Sequence, residues 1–467
     1  MLKALTKGLM KITKTLLLIL ISIIFSCKKE DTSIKIIEIQ VKAPFDMPTI
    51  KIPDFSNCKQ FIITDFGAVE GDKELTSKAI ADAIDEANKI GGGIVIIPKG
   101  EWLTKKIHLK SHVNLHVNKD AILLFSENPK DYLPAVHTTW EGMECYNYSP
   151  LIYAYECKNI AITGEGKLKA KMAIWETWFA RPKPHMNSLK RLYNLASYNK
   201  PVEERQMVND SANFRPHFIQ FNRSENILLE GISIENSPFW TIHPYLSKNM
   251  LIKNVKVKAH GHNNDGVDPE MSQNILIEDC IFDQGDDAIA VKSGRNQDAW
   301  RLNTPSKNIV MRNCTMKNGH QLLAIGSELS GGIENVFVEN CNVVDGAKMF
   351  HLVFIKTNER RGGYVKNIYV ENITAGSIQN GVLGIETDVL YQWRDLVPTI
   401  ERKLTPIEHV YLKNIRATKT EYVSKITGQA ELPIKNIFLN NVLVDSITSE
   451  KHIHEHVVNF SEFPKTE

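Results

Sequence analysis

The chain carries no surplus of either charge: 56 Lys+Arg stand against 54 Asp+Glu, a formal net of +2. A dedicated nucleic-acid binder would normally show a basic domain or stripe, so that class is set aside. Cysteine is sparse, at seven residues in 467, and no two are spaced as CxxC. A paired-cysteine structural zinc site therefore has no support. The apolar run at residues 16–25 is too short to cross a bilayer comfortably. With 24% charged and 43% hydrophobic residues the composition is globular, which excludes extended disorder, collagen and coiled coil.

Lys3, Lys7, Lys11 and Lys14 precede that run, and Phe25-Ser26-Cys27 ends it. A basic flank, an apolar stretch and a small residue describe an export signal over residues 1–26. Its end resembles a bacterial lipoprotein signal, in which Cys27 becomes the acylated first residue. Residues 27–54 then read as a tether. A single domain is expected over 55–467, membrane-associated only through the lipid, on the periplasmic or cell-surface side.

The body of the chain is a degenerate repeat. Glu225-Asn226-Ile227-Leu228-Leu229-Glu230 recurs in variant form at residues 248–255, 273–280, 307–314, 334–341, 366–373, 408–415 and 435–442. Each unit opens on a polar residue and Asn (once His409), continues in alternating apolar residues, and usually closes on Asn or Asp before an apolar residue or Cys. Such alternation marks short strands. Recurring every 20 to 40 residues without amphipathic helices between, they predict an all-β, single-domain, right-handed parallel β-helix. Coils stack about 4.8 Å apart, so equivalent residues form ladders. Cys280, Cys314 and Cys341 then share one ladder with Val255, Ile373, Ile415 and Val442, as buried thiols acting as small hydrophobes. The repeated Asn residues are expected to ladder at bends. A short amino-terminal helix over 77–89, apolar at Ala79, Ile80, Ala83, Ile84 and Ala87, is expected to cap the open end.

The chemistry follows from register. Val291, Ile325 and Ile355 align as inward residues, which turns Lys292, Gly326, Phe354 and Lys356 outward. Asp286 and His320 each follow a Gly, and each lies 12 residues after its repeat Asn (286 − 274 = 320 − 308). They should be outward neighbours on adjacent coils, roughly 5 Å apart at the backbone. Strict alternation would bury Asp287 alone at high cost, so a bend at Gly285-Asp286-Asp287 is expected to expose both acids. Asp265 stands at an outward turn one coil below. Crowded carboxylates raise one another's pKa, so one can stay protonated as a general acid while others act as bases.

At these residues the chain resembles glycoside hydrolase family 28, the polygalacturonase family. Asn263-Asn264-Asp265-Gly266, Gly285-Asp286-Asp287, Gly319-His320-Gln321 and Phe354-Ile355-Lys356 are similar to four family blocks in their order. Ser237-Pro238-Phe239-Trp240 and Ile325-Gly326-Ser327-Glu328 look like bacterial members. The resemblance implies an inverting hydrolase of α-galacturonosidic bonds acting on pectic polysaccharide. Asp286 would be the acid, Asp265 and Asp287 would hold the attacking water, and His320 would tune Asp286. An inverting pair needs about 6.5–9.5 Å between acid and base to admit that water. Lys356 would bind the uronate carboxylate, with Asn263, Lys292, Phe354 and Arg361 beside it. No metal, no organic cofactor and a monomeric protein are expected.

Phe354 stands where the family has Arg, which removes a bidentate carboxylate clamp and opens a rhamnogalacturonan-type substrate as an alternative. A lyase would want a strong base at the centre of the cluster, and a non-catalytic carbohydrate-binding solenoid would tolerate loss of its acids. Residues 175–216 interrupt the repeat with Trp175, Trp178, Arg181, Arg205 and Arg215. A long loop beside a site shapes one end of a groove, which favours attack at chain ends. If the amino terminus is read correctly, the wild-type chain expressed in a bacterium incorporates labelled fatty acid and Cys27→Ala does not; label in both, or in neither, contradicts it.

Overall fold

The computed structural model describes residues 34–208, 212–390 and 401–464. The export signal and Cys27 lie outside the described residues. Nearly all strands pair in parallel with the equivalent strand one coil away, as in Ile275↔Ile309↔Val336↔Ile368↔Val410↔Ile437. The chain thus winds into a right-handed parallel β-helix. One wall is a long sheet that runs from Gln60–Ile62 to Val457–Phe463. A second wall is formed by Ile289–Val291, Gln321–Gly326, His351–Lys356, Gly381–Glu386, Tyr422–Thr427 and His452–Glu455. Single bridges through Val267 join it to the strands Ile242–Tyr245, Ile219–Asn222 and Ile152–Tyr155 below.

Inside, one apolar core runs the length of the solenoid. Each fully buried Ile, Leu, Val or Phe there contributes on the order of 1.5–3 kcal/mol. Cys280, Cys314 and Cys341 are free, buried thiols in that core, and burial pushes the Cys314 thiol up.

The asparagine ladder is continuous. Asn226, Asn249, Asn274, Asn308, Asn335 and Asn367 each donate to the side chain one coil below, at 2.8–3.2 Å. All six sit at φ of 57–59°. This left-handed conformation is one that Asn tolerates far better than other non-glycine residues. The ladder therefore uses Asn for two reasons, a tolerated backbone and a side chain that both gives and takes a hydrogen bond.

Two expectations need correction. The helix spans Lys73–Lys89 rather than starting at 77, because Asp72 caps it by accepting from the backbone N–H of Glu74 and Leu75. Its buried face packs against Phe61, Val95 and Ile97 at the solenoid's start. The expected tether is, in its described part, a folded hairpin of Lys35–Ile39 against Ile50–Asp54. Ile50 and Ile52 pack with Val41 and Met47 onto Leu251, Leu276, Val310 and Phe337 of the long sheet. Those four side chains point away from the core, and the hairpin is what keeps them from water.

Asn308 Nδ2 donates to Asn274 and Oδ1 accepts from Asn335, both at 3.0 Å. Asn308→Ala should cost about 1–3 kcal/mol through the lost bonds and further through a Cβ-bearing residue at positive φ. Asn308→Gly, which relieves only the backbone term, should recover part of the loss in urea unfolding; equal loss in both variants would refute the backbone term, and no loss in either would refute the ladder.

Candidate active site

Register alone brings the acid and the histidine together. The backbone N–H of His320 donates to the Asp286 carbonyl at 2.8 Å, and His320 Nδ1 lies 3.0 Å from Asp286 Oδ1. A side chain at Gly319 would come within 2.6 Å of that carbonyl, and one at Gly285 within 2.6 Å of the Gly261 backbone. The two glycines flagged by spacing are thus what lets the coils close on each other here.

The chain bends at Gly285 and Asp286, as expected, but Asp287 is buried rather than exposed. It still lines the cavity, where Lys356 Nζ approaches its Oδ2 at 3.4 Å. Asp265 is likewise buried and reaches the same cavity from an irregular coil. That coil is pinned by hydrogen bonds from Gly266 N to the Asp287 carbonyl (2.9 Å) and Thr241 N to the Asp265 carbonyl (3.0 Å). Asp265, Asp286, Asp287, His320, Lys292, Lys356 and Asn263 therefore surround one cavity of about 280 Å³.

Two expected members do not line it. Phe354 stacks on His351, with ring centres 4.5 Å apart and planes within 9°, over Gly384 of the next coil. The Arg361 guanidinium is buried, donating to the Ser327 carbonyl (2.6 Å) and to Asn296 Oδ1 (2.7 Å). It braces the cavity wall at Ser327 rather than facing substrate.

Other cavity residues were not assigned to the site from sequence: Glu141, His262 and Arg295 went unremarked, while Arg181, Trp240 and Glu328 were noted only within their segments. Glu328 sits in the fragment Ile325-Gly326-Ser327-Glu328, so its outward turn was within reach. Glu141 and Arg181 come from outside the repeat. The strands Val136–Trp140 and Met143–Asn147 form a hairpin, and the interrupting segment folds as helices Ala173–Thr177 and Lys183–Ser197. Trp140, Leu189, Tyr193, Phe214, Phe239 and Trp240 pack these additions into a separate small core beside the site.

Electrostatically the cavity is crowded. Lys292 Nζ lies 3.8 Å from Asp265, 3.7 Å from Asp268 and 3.6 Å from Glu328. Burial opposes its charge, but these acids more than offset that and hold it firmly protonated. Asp265 is pushed well up by burial and then by Asp268, and Asp287 is raised by burial and the charge of Asp286. Asp286 goes the other way. Burial raises it, yet the hydrogen bond and charge of His320, with Lys356 and Lys292, hold it below the usual carboxylate range. For His320, burial opposes protonation, but Asp286, Asp287 and Asp265 lift it above an ordinary imidazole. Asp265 and Asp287 are thus shifted toward the protonated form and Asp286 away from it, while His320 beside Asp286 is shifted toward its protonated form.

The oxygens of Asp286 and Asp287 and a ring nitrogen of His320 lie within 4.8 Å of one another, close enough to hold a cation. Lys356 and Lys292 already supply positive charge at this spot.

The chain is similar to known proteins in sequence and in fold. The family model for glycosyl hydrolases family 28 matches residues 202–461. A probable polygalacturonase of Vitis vinifera is 28% identical over 407 residues, spanning 84% of this chain and 75% of that one. An exo-poly-alpha-D-galacturonosidase of Dickeya chrysanthemi is 27% identical over 303 residues, 60% of this chain and 50% of that one. A hyperthermoactive exopolygalacturonase of Thermotoga maritima superposes with TM-score 0.80 at 35% identity, over 89% of this chain and 93% of that one.

The His320–Asp286 pair has a signed pH consequence. His320, raised on folding, contributes fully below about 6.5 and loses its contribution as pH climbs through its higher folded value. Asp286, lowered on folding, contributes above about 3.9 and loses it as pH falls through its lower folded value. Imidazole NMR should place the His320 titration above the ordinary range in wild type and lower in Asp286→Asn. No difference between the two would refute the coupling.

Proposed function

The chain belongs to glycosyl hydrolase family 28, and we propose from that membership and the cavity's geometry that it hydrolyses α-galacturonosidic bonds of pectin with inversion, working from chain ends. The observation that carries this is Asp286 Oδ1 at 3.0 Å from His320 Nδ1, in one cavity with Asp287 and Asp265.

Asp286 protonates the departing glycosidic oxygen, and Asp265 with Asp287 holds and deprotonates the attacking water. Lys356, beside Asp287, takes the uronate carboxylate. A bound uronate adds a negative charge to the cavity and draws Lys356 away from the acids. Both effects raise carboxylate pKa values, which favours the protonated form of Asp286 that the acid role requires. His320 holds Asp286 in place from the adjacent coil and limits how far its pKa can climb. No step in this scheme needs a metal or an organic cofactor.

Action at chain ends is supported by the additions around the repeat. The hairpin at Val136–Asn147 and helix Lys183–Ser197 stand at one side of the cavity, supplying Glu141 beside Arg295. From His320 the surface continues the other way as an open trough of about 1100 Å³ along successive bends, past Phe350, Gln379 and Lys419. A polymer would enter the closed end by its terminus and leave along the trough. The basic flank and Cys27 at the amino terminus support an exported, lipid-anchored enzyme, acting as a monomer on polysaccharide outside the cytoplasm.

Because Phe354 lies outside the cavity, backbone sugar choice is the open chemical question, and homogalacturonan is favoured by Lys356 facing Asp287. Reducing-sugar release should be greater from homogalacturonan than from rhamnogalacturonan, and Asp286→Asn should lower it by at least about 10³-fold. Release from neither polymer, or an Asn variant within ten-fold of wild type, would sink the proposal.

A further inference from the structure

We propose that Asp268 is a positioning residue for Asp265: it keeps a proton and donates it as a hydrogen bond to the Asp265 carboxylate, leaving Asp265 ionised to take a proton from the attacking water. This rests on the hydrolase reading above and adds a further acid to it, behind the cavity rather than in it.

The stacking of coils places Asp268. Val267 bridges Ile242 on the coil below and Ile289 on the coil above, and its side chain enters the core. Alternation turns Asp268 to the outer side, and its backbone N–H donates to the Ile242 carbonyl at 2.8 Å. The residue is nevertheless sealed, at 0% exposure against 3% for Asp265, and of the two it is Asp265 that lines the cavity. Both carboxyls face the same cation, with Lys292 Nζ 3.8 Å from Asp265 Oδ2 and 3.7 Å from Asp268 Oδ1. Among the described residues no hydrogen-bond donor reaches either oxygen of Asp268. What stands within hydrogen-bonding reach of it is the carboxyl of Asp265. Ionised carboxylates only accept, so that contact becomes a bond when one of the two carries a proton.

A count of charges leads to the same place. Glu328 is matched by Arg295. Asp265, Asp268 and Glu270 are left with the single charge of Lys292. His243 adds none. Thr138 donates to Gln220 Oε1 at 2.8 Å, so the Gln220 amide donates to His243 Nδ1 at 3.0 Å, and the neutral ring gives its Nε2–H to Glu270 at 2.9 Å. Burial, with Lys292 nearby, pushes His243 down to about 3. Three sealed acids beside one ammonium cannot all ionise without heavy cost, so protons stay. Between Asp265 and Asp268 the proton favours the deeper site, where a charge is farthest from water. Burial indeed raises Asp268 well above the usual carboxylate range. A protonated Asp268 in turn favours the ionised form of Asp265, because it donates to that form.

Infrared spectra at neutral pH test where the proton is. The C=O stretch of protonated carboxyls in wild type should contain a component that shifts when aspartate is isotopically labelled at its carboxyl carbon and that is missing from Asp268→Asn. Turnover of trigalacturonate tests what the proton does. Asp268→Ala should lower kcat about ten-fold or more with KM within about three-fold, and Asp268→Asn, whose amide still donates to Asp265, should recover most of that loss. An infrared band unchanged in Asp268→Asn, or an Asn variant as slow as the Ala variant, overturns the proposal. If the Ala variant does not fold, the infrared comparison of wild type with Asp268→Asn decides. A wild-type chain that cleaves no galacturonide overturns the hydrolase reading and with it the role of the proton, a failure told apart from the first by the band, which needs no substrate.

Discussion

Hydrogen bonding between coils, with its fixed pairing of equivalent residues, is the constraint on which the site depends. Asp286 and His320 are 34 residues apart, and Lys356 is a further 36 along the chain, yet each is adjacent to the next coil's equivalent. A slip of one residue in any strand would turn Lys356 into the core and Ile355 out to solvent. The asparagine ladder resists that slip, because each of its amides must meet the amide one coil below. Stability and catalysis in this fold therefore draw on the same repeat.

Burial gives the site its second property. Asp265, Asp268, Asp287, Lys292, Arg295 and Glu328 are all nearly sealed from water, so their charges act on one another with little screening. Ionised side chains survive there only in mutual contact, and the network around Lys292 shows it, with three acids within 3.8 Å. Glu270, next to this network and paired with His243 at 2.9 Å, is pushed up to about 8 by burial and then by Glu328. A cavity whose charges are so closely packed responds strongly to one added charge.

The repeat made the solenoid legible, since alternation and a recurring Asn survive even where spacing varies. It also made Asp286, His320 and Lys356 legible, because position within a coil translates directly into position on a face. What alternation could not convey was depth. Asp287 and Asp265 were expected in the open, and they are buried, held by Lys356, Lys292 and the backbone of adjacent coils. The hairpin at Val136–Asn147 and the inserted helices follow no repeat: Arg295 Nε donates to the Glu141 carbonyl across 154 residues of sequence, a contact no ladder counts. The hairpin at 35–54 was missed for a related reason. Leu251, Leu276, Val310 and Phe337 were apolar at outward positions, a sign that something must cover them, and Ile50 and Ile52 do.

Product stereochemistry tests the whole arrangement most directly. If Asp286 donates its proton while water held by Asp265 and Asp287 attacks from the opposite face, NMR during the first turnovers on an α-linked galacturonide will show the β-anomer first, with the α-anomer growing in by mutarotation. Initial release of the α-anomer, or an unsaturated product, would mean that these carboxylates do not perform the displacement assigned to them.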